Sequence, residues 1–311
     1  MIAAHINAAH INAALATVVV GAAFASASVF ASGPAHAQDA DTLKRGEYVF
    51  NLSGCEGCHT DKKGNGERLA GGRAFKTDFG AFYSPNITPD PATGIGAWTA
   101  ENFTAALRHG QAPNGDNYFP AFPYTSYTHM SDADIADLWA YLSAQPAVVR
   151  ANRDHDLKPP YGWRWLMTVW NWLYLDAGPK PQWSRGRYVA EALSHCHECH
   201  TPRNALGGYD AGKPYAGTKR NPEGITVPNI TPDRDTGIGK WSVGDLELLF
   251  TIGMLPDADF VGGVMAESVS HATSKMTKAD RAALIEHLGA LRPIANRVKS
   301  KKSQDSGDES W

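Results

Sequence analysis

Two stretches of the chain carry a clear helical pattern. Apolar residues recur at spacings of three and four through Ile135, Leu138, Trp139 and Leu142, and again through Leu284, Ile285 and Leu288. Each run follows a hydroxyl residue with an acid three positions on, Ser131 with Asp134 and Thr277 with Asp280, which predicts an N-capped helix at each place. The segments before them are rich in Pro and Gly and short on alternating apolar and polar positions. Irregular loops are therefore predicted there, and the fold class is all-α. Two further stretches stand out. Ala13 to Ala31 is mostly small and apolar, and Pro159 to Leu175 holds Trp163, Trp165, Trp170 and Trp172, four of the nine tryptophans. The second is too short to cross a bilayer, which needs about 20 apolar residues, although Trp and Tyr suit the membrane interface. Its rings can equally pack across neighbouring domains, and that packing is the expectation preferred.

The helical pattern belongs to an internal repeat with an offset of about 140 residues. Arg45-Gly46-Glu47-Tyr48-Val49 recurs as Arg185-Gly186-Arg187-Tyr188-Val189. Pro85-Asn86-Ile87-Thr88-Pro89-Asp90, with Thr93-Gly94-Ile95-Gly96 and Trp98, recurs as Pro228-Asn229-Ile230-Thr231-Pro232-Asp233, with Thr236-Gly237-Ile238-Gly239 and Trp241. The repeat predicts two tandem domains, 38–145 and 184–295, joined by an aromatic-rich linker, 146–183, and followed by a polar tail, 296–311.

Composition adds location and removes one class of partner. The 311 residues, 43% of them hydrophobic, suffice for two ordinary cores. A formal charge of −3 with scattered Lys and Arg, clustered only at Lys299, Lys301 and Lys302, argues against nucleic acid as a partner. Residues 1–37 hold no charged side chain and end in the small-x-small pattern Ala35-His36-Ala37, so they read as a signal peptide and the remainder as periplasmic. The absence of Lys or Arg near the start leaves an uncleaved anchor open.

All four cysteines fall in two Cys-x-x-Cys-His motifs, Cys55-Glu56-Gly57-Cys58-His59 and Cys196-His197-Glu198-Cys199-His200. Cysteines three apart share one face of a helical turn and can each bond a haem vinyl group, while the following imidazole reaches the iron. The pattern is that of c-type haem attachment, and two copies predict two covalently bound haem c groups. A zinc site would need the two pairs brought together, a thioredoxin-like site a βαβ context, and two disulfides are the plain reading in an exported chain. Neither the spacing nor the surroundings favour these. Trp98 and Trp241 could each donate to a haem propionate or pack in a core. His155, His195, His197 and His287 show no ligand spacing and are read as surface or packed residues.

With these motifs the chain resembles the class I cytochromes c. The Asn-Ile-Thr-Pro-Asp and Thr-Gly-Ile-Gly-x-Trp segments, with Phe119-Pro120-Ala121-Phe122-Pro123-Tyr124-Thr125-Ser126-Tyr127, resemble the cytochrome subunits of membrane-bound bacterial alcohol, aldehyde and gluconate dehydrogenases. The resemblance implies two class I cytochrome c domains with irregular haem-wrapping loops, with His59 and His200 as proximal ligands and methionine as the usual sixth ligand. Met130, the only methionine between the first motif and the end of its closing helix, is assigned to the first iron, with His129 or an open position as alternatives. For the second, Val261-Gly262-Gly263-Val264-Met265-Ala266-Glu267 is similar to the family's ligand loop, so Met265 is preferred to Met254 and to the repeat-related Met276. The implied role is electron transfer from a periplasmic dehydrogenase to a soluble cytochrome, an oxidase or a quinone, with possible contact to a membrane surface and no catalytic residues. The competing role is a peroxidase-like diheme enzyme in which one iron lacks a firm sixth ligand.

Overall fold

The computed structural model describes residues 39–298; the predicted signal peptide and the tail from residue 299 lie outside the described residues. Helix α1, Ala40–Leu52, starts on Asp39, whose carboxylate accepts the Asp41 amide, and buries Val49, Phe50 and Leu52. It runs into the five-residue helix α2, Cys55–His59. Strands β1, Ala74–Thr77, and β2, Gly80–Tyr83, form a hairpin. Helix α3, Ala100–His109, opens on a Thr99–Asn102 capping box, the short α4 spans Tyr124–Tyr127, and α5 covers Asp132–Ser143. Strand β3, Asp156–Leu157, and helix α6, Leu166–Tyr174, follow. Then come α7, Arg185–Tyr188, extended by a π-turn over Val189–Leu193, and α8, Cys196–His200. The chain ends through α9, Val243–Ile252, α10, Gly263–His271, and α11, Lys278–Gly289.

The two patterned helices are α5 and α11, and their caps form as the sequence predicts: Ser131 accepts the Asp134 amide and Thr277 the Asp280 amide. The expectation of an all-α fold needs correction. The described residues are helix-rich but include a three-stranded antiparallel sheet in the order β1-β2-β3, with Phe75 opposite Phe82 and Gly80 opposite Leu157. Strands of four, four and two residues are too short for alternation to register, and the Asp78-Phe79 turn lacks the Asn-Gly or Asp-Gly signal of a tight hairpin. The residues read as a linker supply the third strand.

In each half the helix before the motif crosses the closing helix at a glycine. A Cβ on Gly46 would sit 2.0 Å from the Asp137 carbonyl oxygen, and one on Gly186 would sit 2.0 Å from that of Ala283. Only glycine lets the backbones approach this closely, which is why Arg-Gly-x-Tyr-Val appears in both copies. Arg45 braces the first crossing on Asp137 at 2.6 Å.

The residues two places beyond these glycines join the halves. Tyr48 donates to the Asp280 carboxylate at 2.6 Å and its hydroxyl accepts the Thr277 amide at 3.1 Å. Reciprocally, Tyr188 donates to Asp134 and accepts the Ser131 amide. Each half thus completes the helix cap of the other. Consistent with this interlocking, the described residues 39–298 all fall in one compact unit.

Helix α6 resolves the two readings of the aromatic segment into two faces. Trp170 is buried, donates its indole N–H to the Leu206 carbonyl at 2.9 Å and packs on Tyr124, whose hydroxyl donates to Asn171 at 2.6 Å. That face packs across both halves. On the other side Trp163, Trp165, Val169, Trp172 and Leu173 are exposed, Trp172 to 82%.

Candidate haem centres

Helices α2 and α8 place their cysteines on one side, and all four thiols are free of disulfide bonds. Burial pushes the Cys55, Cys196 and Cys199 thiols up to about 12, and raises Cys58.

The imidazoles that follow are held alike. His59 Nδ1 lies 2.8 Å from the Pro85 carbonyl oxygen and His200 Nδ1 2.9 Å from that of Pro228. Each carbonyl requires a proton on Nδ1, so Nε2 carries the free lone pair. This is the tautomer and orientation of an iron-bound histidine with its second nitrogen anchored. Burial holds both imidazoles below their ordinary value, against the opposing pull of the carbonyl, so they stay neutral and able to ligate. Paired cysteines, a neutral directed imidazole and a partly buried setting fit haem c at both motifs.

The two prolines are placed by the asparagines beside them. The Asn86 amide oxygen accepts the Thr88 amide and hydroxyl at 2.9 and 2.7 Å, while its nitrogen donates to Thr93 Oγ1 and the Val148 carbonyl. Asn229 repeats this with Thr231, Thr236 and the Ile294 carbonyl. Both asparagines are buried. The repeated Asn-Ile-Thr-Pro-Asp segment is therefore a polar staple, tying the strand of chain beyond each closing helix to the loop that aims the imidazole.

The candidate sixth ligands occupy different surroundings. Met130 is fully buried in the core with Tyr127, Ile135 and Leu138, and Met276 is buried at the equivalent place in the second half. Met265 is half-buried in the first turn of α10, outside that core. His129 turns to the linker, Nδ1 2.9 Å from the Gly178 carbonyl and its ring against Trp183. Trp98 and Trp241 are half-buried at the rim of the core.

Each motif is also touched by the other half. Glu198, inside the second motif, pairs with Arg203 at 2.5 Å and accepts bonds from Thr125 and Ser126 of α4 at 2.9 and 3.0 Å. Burial alone would raise its carboxyl, but Arg203, with His197 and Tyr209, draws it down to about 2, so it is a fixed, half-buried anion. Around the first motif, Arg73 bonds the Gly57 carbonyl and pairs with Glu267 of α10 at 2.6 Å. Sequence reasoning missed Glu198, Arg203, Arg73 and Glu267, because none of them sits at a repeated position with its partner. Pro85 and Pro228 were visible as repeats, but a carbonyl's role leaves no mark on residue type.

Residues 41–142 match the family described as cytochrome c oxidase, cbb3-type, subunit III. A diheme cytochrome c-type protein of Cereibacter sphaeroides is 43% identical over 262 residues, covering 80% of this chain and 86% of the relative. The gluconate 2-dehydrogenase cytochrome c subunit of Pantoea cypripedii is 36% identical, covering 80% of this chain and 59% of the relative. The cytochrome c subunit of a quinone alcohol dehydrogenase from Gluconobacter oxydans is 34% identical, covering 84% and 58%. The chain thus spans most of the first relative and just under three fifths of the other two.

The staple generates a test. Asn86→Ala or Asn229→Ala strips partners from several buried groups at once, and each should lower the unfolding free energy of the haem-loaded protein by about 2–4 kcal/mol in denaturant titration. A loss under about 0.5 kcal/mol, the range of ordinary surface changes, would show the staple to be dispensable.

Proposed function

Because the chain belongs to the diheme c-type cytochromes, relatives of the cytochrome c subunits of gluconate and alcohol dehydrogenases, we propose that it is a periplasmic two-haem electron carrier. It takes electrons from a periplasmic dehydrogenase and passes them to a respiratory acceptor, a soluble cytochrome, an oxidase or a quinone, without substrate chemistry of its own. The observation that carries this reading is the matched pair of imidazoles, each anchored through Nδ1 and following a two-cysteine helix. Haem c held there supplies a one-electron iron couple.

The chain's own residues do the rest. Cys55, Cys58, Cys196 and Cys199 provide the thioethers, and His59 and His200 the proximal nitrogens. Met130 and Met265 are the proposed sixth ligands. Met265 is favoured over Met276 because it follows Gly262 and Gly263 in the segment that resembles the family's ligand loop, half-buried at the start of α10. Arg203 keeps Glu198 ionised within the second motif, whereas the acid of the first motif, Glu56, stands one position earlier and pairs with the more exposed Arg68 at 2.8 Å, so the two motifs carry their ion pairs in different places.

No helix among the described residues is long and apolar enough to cross a membrane. The exposed indoles of Trp163, Trp165 and Trp172 instead give the protein a face suited to the bilayer interface, and we assign to them its contact with the membrane surface.

Three measurements test these assignments. The pyridine haemochrome of the purified protein should report two haems per chain that survive denaturing electrophoresis; one haem, or haem lost on extraction, overturns the reading. Met265→Ala should abolish the near-infrared sulfur-to-iron band of one oxidised haem and lower its potential, while Met276→Ala should cost about 2–5 kcal/mol of stability and keep the band. The reverse outcome assigns Met276. Replacing Trp163, Trp165 and Trp172 by Ser, with Trp170 retained, should move the protein from the membrane to the soluble fraction with both haem spectra intact; unchanged membrane retention removes the contact from this face.

A further inference from the structure

The two attachment motifs approach each other at their leading ends, where two side chains converge on one carbonyl. Ser53 lies two residues before Cys55. Its oxygen accepts the Tyr127 hydroxyl at 2.7 Å, and His195 Nε2, from the residue immediately before Cys196, stands 3.4 Å away. The His195 ring meets the Tyr127 ring edge-on, centroids 5.7 Å apart at 76°. The same α4 helix that carries Tyr127 bonds Glu198 through Thr125 and Ser126, so it is held between both motifs.

The backbone at His195 is unusual. It caps α8 in the left-handed region, φ 39° and ψ 40°. Its counterpart Gly54 caps α2 in the same region, φ 64° and ψ 20°, with open space where a Cβ would be. The repeat thus wants glycine at this cap, and the second copy carries a bulky imidazole there at the expense of backbone strain. A strained side chain that reaches the other half points to a role in that reach.

We propose that His195 is a positioning residue that ties the second attachment motif to the first, making Cys55–Gly54–Ser53 and His195–Cys196 one covalent and hydrogen-bonded bridge between the two haem sites. The bond requires the Nε2–H tautomer of His195, with the Ser53 carbonyl as acceptor. Burial holds this imidazole below its ordinary value, so it is a neutral bridge. The inference rests on both motifs carrying haem. It adds to that reading a specific contact through which the spacing and electronic coupling of the two centres are set.

The test uses the full haem-loaded chain. His195→Gly removes the imidazole at a position where glycine is the favoured residue, so folding and a content of two haems are expected to persist. Hydrogen exchange at the amides of residues 55–58, in the other half of the molecule, should rise at least about threefold. Equilibration of an electron between the haems after flash photoreduction should slow about tenfold, equivalent to about 1.4 kcal/mol of activation free energy. Tyr127→Phe, which deletes the other donor to Ser53 and keeps the ring, should also loosen the first motif and slow equilibration. A merely local role for His195 predicts altered stability with first-motif exchange and inter-haem rate unchanged, and that result overturns the bridge while leaving the two-haem function standing. A wild-type protein with fewer than two haems overturns both.

Discussion

A five-residue helix cannot hold its own shape in water, because nucleating a turn costs more backbone freedom than so few hydrogen bonds return. Helices α2 and α8 are of this kind, yet each must present two cysteines and an imidazole in fixed relation. Their geometry is imposed from outside. The Pro85 and Pro228 carbonyls orient the imidazoles, the Asn86 and Asn229 staples place those carbonyls, and the glycine crossings of α1 with α5 and α7 with α11 form the frame behind them. The repeated positions that look unrelated along the chain are stages of one support.

The support does not stop at the boundary between copies. Tyr48 and Tyr188 each satisfy the first turn of the other copy's closing helix, α4 bonds the other copy's motif at Glu198, and α10 reaches the first motif through the Glu267–Arg73 pair. These contacts are polar and directional. A half-buried pair such as Glu198 with Arg203 contributes modest net stability once its desolvation is counted, but it tolerates few alternative arrangements. Such contacts select one relative placement of the halves, which is what the proposed passage of electrons between two sites requires. Their distribution is also unequal, since Glu198 faces Gly57 across the repeat and His195 faces Gly54. The copies share a scaffold and differ at the residues nearest their motifs.

Helix α6 shows how one segment serves two surfaces. Its Trp170 side is consumed in holding Tyr124 and the Leu206 loop, which leaves Trp172 exposed, with Trp163 and Trp165, stacked on each other, exposed just before the helix. Packing across the halves and presenting an apolar face are compatible because a helix exposes different residues on opposite sides.

Local rules made much of this legible from the sequence alone. The haem motifs follow from covalent spacing, the helix caps at Ser131 and Thr277 from side-chain bonds three residues long, and the glycines of Arg-Gly-x-Tyr-Val from their recurrence. The short sheet was not legible, because strands of two to four residues carry too little pattern and β3 comes from a segment more than seventy residues beyond its partner. Nor could the sequence say which face of α6 is buried, that two carbonyls aim the imidazoles, or that His195 meets Ser53. Residue type records what a side chain can do within a few positions. Which carbonyl it reaches, and which half of the molecule it reaches into, was decided only when distant segments packed together.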